Sequence, residues 1–259
     1  MKLVTIASGS GGNCIYVESE HRRILIDAGI SLKRIEAGLG KLSLSASDID
    51  ALLITHEHAD HIGGLGVLLR KYSMPVYCTE GTYRAVMSMG ALGRLPEDNF
   101  RWITTREPFT IGDMSIRALA VSHDAAEPVA YRISAGEKSI AVVTDLGTTC
   151  GMAEQLRGLS ALVLEANHDE RMLEAGPYPY TTKRRIKSDS GHLSNEAAGR
   201  LLADISWPGL SQVLLGHISR INNYDKLAYE GVRCEAAFGE KLPEISLAPE
   251  KELSKIIEV

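Results

Sequence analysis

Short runs rich in β-branched and other apolar residues mark the chain at 3–7, 14–17, 23–26, 51–55, 76–79, 115–121, 129–133, 139–144, 161–165 and 212–216. Their length and content predict strands, because such side chains suit a buried pleated surface. Between them the apolar positions fall at a period near 3.6. That predicts helices at 32–39, 64–71, 82–91, 153–159 and 194–205, with a last short one at 253–257. Ser31 and Ser194 stand where a helix needs an oxygen for its first free N–H groups. The early strands are separated only by turns, as in antiparallel meanders, and the later ones alternate with helices. This order predicts an α/β (α+β) layered fold with mixed sheets.

No Pro/Ser-rich linker, repeat or low-complexity tract divides the sequence, so residues 1–259 are expected to form a single domain. Composition agrees, since 44% hydrophobic residues lie well above the level at which a chain stays disordered. There are 33 acidic and 28 basic residues, a formal charge of −5. That excludes a wholly basic nucleic-acid module and leaves room for a local basic patch. Cys14, Cys78, Cys150 and Cys234 are scattered and form no C-x-x-C pair. The opening residues run into a Ser/Gly stretch without an apolar signal segment. No apolar run approaches the roughly 20 residues that cross a bilayer. A reducing cytoplasm, mostly buried thiols and no membrane partner are therefore expected.

The strongest chemical signal follows the run 51–54: Thr55-His56-Glu57-His58-Ala59-Asp60-His61-Ile62-Gly63-Gly64. Four metal-competent side chains within six residues, at the end of a buried strand, are costly to desolvate unless a cation joins them. A solvated His-rich turn would have no reason to sit between a buried strand and a Gly-Gly-opened helix. Three further ligand types stand at strand ends: His123 after 116–122, Asp145 after 140–144 and His217 after 213–216. Each alone reads as an ordinary strand-end residue. Together the seven suffice for two ions with room for water.

The stretch His-x-His-x-Asp-His, followed by His123, Asp145 and His217, resembles the metallo-β-lactamase superfamily over nearly the whole chain, to at least Asn223. The phrases 8–13, 25–29, 122–128, 164–168 and 190–195 are similar to those of its YycJ/WalJ branch. The resemblance implies a four-layer αββα sandwich with two mixed β-sheets and two divalent ions, Zn2+ or Mn2+. It implies that His56, His58 and His123 hold one ion and that Asp60, His61 and His217 hold the other. Asp145 would bridge both, and Asp27 would buttress the site without binding metal. An aspartate at 145, rather than a cysteine, resembles the phosphodiesterase and nuclease branches. The branch is similar to 5′→3′ exonucleases of double-stranded DNA, so a metal-bound hydroxide attacking DNA is the activity implied. Phosphodiester contacts alone do not separate DNA from RNA. A small-molecule hydrolase, of lactonase or thioesterase type, is the other enzyme reading.

Such a reaction leaves an alkoxide that needs a proton, and His192 is the candidate donor. It lies in a Gly- and Ser-flanked loop just before the helix at 194–205. Glu165, ending the strand 161–165, is its expected partner, because a carboxylate raises an imidazole pKa and fixes its tautomer. Asp60 would orient the attacking water. Thr181-Thr182-Lys183-Arg184-Arg185-Ile186-Lys187 brings four cations close together ahead of His192, which suits a phosphate backbone. Tyr178 and Tyr180 before it could stack on bases. Lys183, Arg184 and Arg185, with Ser10 and Asn13 of the glycine-rich loop, are the expected substrate contacts. His168 could face substrate, and His21 reads as solvated.

Overall fold

Strand Lys2–Ala7 (β1) buries every residue after Lys2, on both faces, and so carries no apolar/polar alternation. Strands covered on both faces read as continuous apolar runs, which is why the early ones stand out in the sequence. Residues Met1–Val259 are described by a computed structural model, and they divide into two compact units.

The first unit comprises Met1–Ala120, Ala125–Gly136 and Pro249–Glu258. After β1 come β2 (Cys14–Glu18), β3 (Arg23–Ile26), β4 (Ala51–Leu53), β5 (Val76–Thr79) and β6 (Phe100–Ile103). They hydrogen-bond in sequence order, antiparallel from β1 to β3 and parallel from β3 to β6. Helices α1 (Leu32–Lys41), α2 (Ala59–Ile62), α3 (Leu65–Lys71) and α4 (Glu80–Ser88) occupy the connections. Ile35, Leu39, Leu65 and Leu68 of α1 and α3 join one apolar cluster with Val4, Leu25 and Leu52 of the sheet. Strands β7 (Phe109–Ile111), β8 (Met114–Ala120) and β9 (Val129–Ala135) form an antiparallel meander.

The second unit comprises Val121–Asp124, Glu137–Ala248 and Val259. Its strands β10 (Lys138–Val143), β11 (Ala161–Glu165), β12 (Gln212–Gly216) and β13 (Glu244–Leu247) are parallel neighbours in that order. Helices α5 (Met152–Leu156), α6 (Glu170–Ala175), α7 (Tyr180–Ile186), α8 (Asn195–Ile205) and α9 (Asp225–Ala236) fill the crossovers. In parallel sheets, functional side chains gather beyond the carboxyl ends of the strands. Here Asp145, Glu165 and His217 all stand at or just past such ends.

Several sequence expectations change in detail. The helix expected at 253–257 does not form. Ser254 exchanges hydrogen bonds with the Thr5 backbone, and Ile257–Glu258 pairs with the edge of β1. Five residues cannot repay helix nucleation against a ready strand edge. The helix expected at 82–91 begins at Glu80, because the Thr79 hydroxyl accepts from the Thr82 N–H. Lys183, Arg184 and Arg185 lie on α7 and Lys187 directly follows it, and α7, α9 and the edge strands β6, β7 and β13 were not foreseen. All four cysteines are free; Cys14 and Cys78 are buried, while Cys150 and Cys234 are exposed, contrary to mostly buried thiols. No helix is long and apolar enough to cross a membrane.

Candidate metal centre and proton-donor site

In the first unit the site is built on the turn between β4 and α2. Backbone bonds fasten this turn to the loops after β1 and β3: Asn13 N–H to Asp60 O (2.7 Å) and Ala28 N–H to His61 O (2.8 Å). A Cβ at residue 29 would collide with the Asp60 carbonyl oxygen, so Gly29 is what allows this approach. The rings of His56 and His61 lie 4.1 Å apart by centroid, and those of His56 and His58 4.6 Å. Three imidazoles are thus gathered with little space between them.

Asp27 organises them. Its Oδ1 accepts from Thr55 N–H (2.8 Å), and its Oδ2 accepts from the Thr55 hydroxyl (2.9 Å) and from His61 Nδ1 (2.7 Å). A carboxylate can only accept, so the His61 proton sits on Nδ1 and Nε2 keeps its lone pair. Thr55 gives its hydroxyl proton to Asp27 and so receives from His56 Nδ1 at 3.0 Å. His56 is thereby fixed in the same tautomer. Asp60 Oδ2 lies 3.6 Å from His61 Nε2.

In the second unit the residues come from separate strand ends. His123 Nδ1 donates to the Gly191 carbonyl (3.0 Å), and its Nε2 lies 3.7 Å from Asp145 Oδ1. Glu165 is completely buried and takes four hydrogen bonds. Its Oε1 accepts from His192 Nδ1 and His217 Nδ1, both at 2.8 Å. Its Oε2 accepts from the N–H groups of Leu146 (3.0 Å) and Leu193 (3.2 Å). Asp145, Glu165, His192 and His217 offer ligand atoms within 4.8 Å of one another. Since Glu165 is fully engaged by N–H donors, it acts there as the holder rather than as a ligand.

Electrostatics follow this geometry. Burial would raise the Glu165 pKa, but His192, by charge and hydrogen bond, and then His217 pull it below the ordinary carboxylate range. Burial would lower the His192 pKa; the Glu165 charge and hydrogen bond, helped by Asp145, raise it instead. Burial dominates at His123 and lowers its pKa, which keeps it neutral and able to bind a cation.

Backbone strain collects at the same places. Asp27, Asp145 and His217 have φ of 63°, 55° and 52°, left-handed values that non-glycine residues seldom adopt. Each follows directly on the last residue or two of a strand, and each is a site residue. Strain of this kind persists only where surrounding bonds enforce it. For His217 the enforcing bonds are visible: Asn167 donates to its carbonyl (2.9 Å), and Asn223 donates to the carbonyls of Ala166 (3.0 Å) and Asn167 (3.1 Å). Asn195, three residues after His192, exchanges hydrogen bonds with Asn223 at 2.8 and 3.2 Å.

The structure therefore brings His56, His58, Asp60 and His61 together in one unit, and His123, Asp145, Glu165, His192 and His217 together in the other. Asn13 is buried rather than open: it accepts from Gly9 N–H and donates to His61 Nε2 at 3.1 Å. Ser10 is exposed. On α7, Arg185 is tied to Asp124 (2.5 Å) and Lys187 to Glu174 (2.8 Å), while Lys183 donates to the Glu174 carbonyl. Arg184 is exposed and makes no such bond. The roles of Thr55, Asn167, Asn195 and Asn223 were missed, because polar residues without a charge or ring carry no chemical signature in sequence. Their one signal was closeness in sequence to predicted ligands.

The nitrogens tell whether metal ions fit. His56, His123 and His217 each have Nδ1 bound to an oxygen, which leaves Nε2 as a lone-pair donor; His61 has the same anchor, and its Nε2 lone pair accepts from the Asn13 amide. Oxygen-anchored imidazoles of this kind are the regular companions of a metal ion. A family model described as a beta-lactamase superfamily domain matches residues 22–218. The chain is 41% identical over 224 residues to the exodeoxyribonuclease YycJ of Bacillus anthracis, covering 86% of this chain and 84% of that one. It is 39% identical over 229 residues to the exodeoxyribonuclease WalJ of Streptococcus pneumoniae, covering 88% and 85%. Among solved structures, the metallo-beta-lactamase fold protein YhfI of Bacillus subtilis matches with a TM-score of 0.72 at 20% identity, covering 99% of each chain. The expected fold, two mixed β-sheets flanked by helices, is thus the one present. With the His/Asp groups it points to divalent metal ions.

Proposed function

The chain belongs to the beta-lactamase superfamily, and on that premise we propose that it is a two-metal-dependent nuclease. We assign it the 5′→3′ removal of nucleotides from double-stranded DNA. The relatives named exodeoxyribonuclease support DNA over RNA, and nothing in the site favours a lactonase or thioesterase reading. Residues 1–259 act as one domain in this proposal, in the cytoplasm. His56, His58 and His123 would hold one ion and Asp60, His61 and His217 the other, with Asp145 available to both; zinc and manganese each suit this donor set.

When bound, such ions polarise a phosphodiester and make water acidic enough to attack at neutral pH. The protein's own groups do the rest. Asp60 accepts a hydrogen bond from the attacking water and so aims it at phosphorus. His192 holds its proton on the nitrogen that Glu165 does not occupy and delivers it to the departing 3′ oxygen as the P–O bond breaks. Glu165 keeps that ring charged and in place. Ser10 and the α7 cations Lys183, Arg184 and Arg185 bind the phosphate backbone, and Asn13 positions His61. A cavity of 580 Å3 lined by Tyr180, Lys183, Arg184, Lys187 and Ser188, with Glu174 and Asp189, offers this helix a groove.

The observation that carries the proposal is Glu165, which holds a metal-binding imidazole and a proton-donating one with the same oxygen. End-labelled duplex DNA, RNA and a simple lactone, each given purified protein with manganese or zinc, test it. Nucleotide release from duplex 5′ ends is expected. Preferential loss of RNA would redirect the substrate, and turnover of the lactone alone would overturn the nuclease.

A further inference from the structure

Asp124 directly follows His123, and the reaction above gives it no part. His123 Nδ1 donates to the Gly191 carbonyl (3.0 Å), so the ring proton is on Nδ1 and Nε2 carries a lone pair. Asp124 Oδ1 lies 3.4 Å from that Nε2. The other oxygen, Oδ2, takes the Nε–H of Arg185 on α7 at 2.5 Å, a bond that an ionised carboxylate makes. Oδ1 and Nε2 are then both acceptors, with no proton between them. Asp145 Oδ1 approaches the same nitrogen at 3.7 Å. Two carboxylate oxygens thus stand around one lone pair, an arrangement that repels unless a cation joins it.

The spacing agrees. Nitrogen and oxygen ligands sit about 2.0–2.2 Å from zinc, so two of them at a tetrahedral angle stand about 3.4 Å apart. That is the separation of Nε2 and Oδ1, and it exceeds the usual N–H···O range of about 2.7–3.2 Å. The backbone keeps the pair in place. Asp124 N–H donates to the Ser190 carbonyl (3.1 Å), next to the Gly191 that receives His123. A Cβ at residue 191 would collide with the carbonyl oxygens of Arg185 and Ile186, so this loop lies hard against the end of α7. Arg185 therefore reaches Asp124 from a fixed base. Ligating carboxylates are commonly hydrogen-bonded in this way on the side away from the ion. The ion pair alone gives little reason for the arrangement, because its side chains are 54% and 33% exposed and such pairs contribute little stability.

We propose that Asp124 is a further metal-binding residue: its Oδ1 joins His123 on the ion assigned to that histidine, while Arg185 holds the other oxygen. The inference rests on the reading that His123 binds an ion. It also ties α7 to the metal centre, since the cation that orients Asp124 belongs to the helix assigned to the phosphate backbone.

Calorimetric titration of the metal-stripped full chain with manganese tests this, with melting temperature and duplex degradation measured alongside. The parent is expected to take up two ions. Asp124→Asn should weaken one of them by at least about tenfold and leave the other at the parent affinity. The melting temperature of the stripped protein should not move, because the backbone bond to Ser190 persists. Cobalt in place of manganese gives a second readout: its visible absorption strengthens as ligands are lost, and it should be stronger in Asp124→Asn. Arg185→Ala removes the orienting cation and keeps Oδ1, so its loss of manganese affinity should be smaller. Parent-like affinity or a parent-like cobalt spectrum in Asp124→Asn overturns the ligand. So does a loss in Arg185→Ala as large as that in Asp124→Asn, because Asp124 then serves only to anchor α7. If the parent degrades duplex DNA while Asp124→Asn binds manganese as the parent does, the ligand falls and the nuclease stands. If Asp124→Asn loses the ion while the parent leaves DNA intact, the nuclease falls and the ligand stands. A parent that takes up no metal removes both.

Discussion

Asp27 in the first unit and Glu165 in the second both lie at the end of a buried strand, and both hold imidazole by Nδ1, Asp27 one ring and Glu165 two. What surrounds them differs. The side-chain partners of Asp27 come from a single stretch, Thr55 to His61, so it braces one local turn. Glu165 receives Leu146, His192, Leu193 and His217 from three separate loops. It braces an assembly that the chain could not otherwise hold in register. Local bracing maintains the geometry of a motif; distributed bracing creates a geometry where no motif exists. In the proposed reaction the difference also separates two chemistries, because Asp27 would serve metal binding alone, while Glu165 would serve a metal ligand and a proton donor.

The largest effect is therefore expected at Glu165. Its replacement by alanine leaves two buried N–H groups and two imidazoles without their acceptor. Urea unfolding should show a loss of about 3–5 kcal/mol, in the range for breaking a buried charged pair. Nucleotide release should fall by more than about 10⁴-fold, since acid help and a metal ligand fail together. Glu165→Gln keeps the shape and removes the charge. His192 must be protonated to donate, so activity declines as pH rises through its pKa. Losing the carboxylate lowers that pKa, and the alkaline decline should move to lower pH. An unmoved decline would detach the proton donor from Glu165.

His192→Ala comes next. Metal content measured by plasma emission should stay at the parent level, and kcat should drop by about 10²- to 10⁴-fold. Loss of metal in this variant would mean that the ring is a ligand, and the division of labour around Glu165 would disappear. Asp27→Asn probes the local brace alone. The amide keeps one acceptor oxygen, so its NH2 must face either the Thr55 N–H or the Thr55 hydroxyl and His61 Nδ1, and metal affinity should weaken by about 10- to 100-fold. If Asp27→Asn harmed folding as much as Glu165→Ala does, the contrast between local and distributed bracing would be broken.

The same contrast explains what could be read from the sequence. His56, His58, Asp60 and His61 are legible because the metal-binding turn is contiguous, and its spacing is the message. His123, Asp145 and His217 are legible only as ligand types at the ends of apolar runs, a pattern that needs the strands to be found first. Glu165 and His192 could be paired in advance, but the second bond of Glu165, to His217, is a product of the parallel register of β11 and β12. Leu164 faces Leu215 and Glu165 faces Gly216 in that register, which brings residue 217 alongside. The asparagines 167, 195 and 223 were out of reach for the same reason. Composition cannot announce a hydrogen bond between loops, and neither can it announce left-handed backbone at Asp27, Asp145 and His217.

The smallest effect concerns α7, where the distinction between engaged and free groups can be applied to cations. Lys183, Arg184, Arg185 and Lys187 look alike in sequence, yet Arg185 already has Asp124 and Lys187 already has Glu174. Only a charge that meets phosphate releases counterions, and each contact contributes about 0.9 to the salt slope of DNA binding. Arg184→Ala should therefore lower the slope measured by fluorescence anisotropy by about one. Arg185→Ala should change it less, because the guanidinium would have to leave a carboxylate before binding a phosphate. Equal changes in the two variants would mean that DNA opens the Arg185–Asp124 pair. The ion pairs of α7 would then be a reserve of binding charge, and Arg184 would have no special standing among the four.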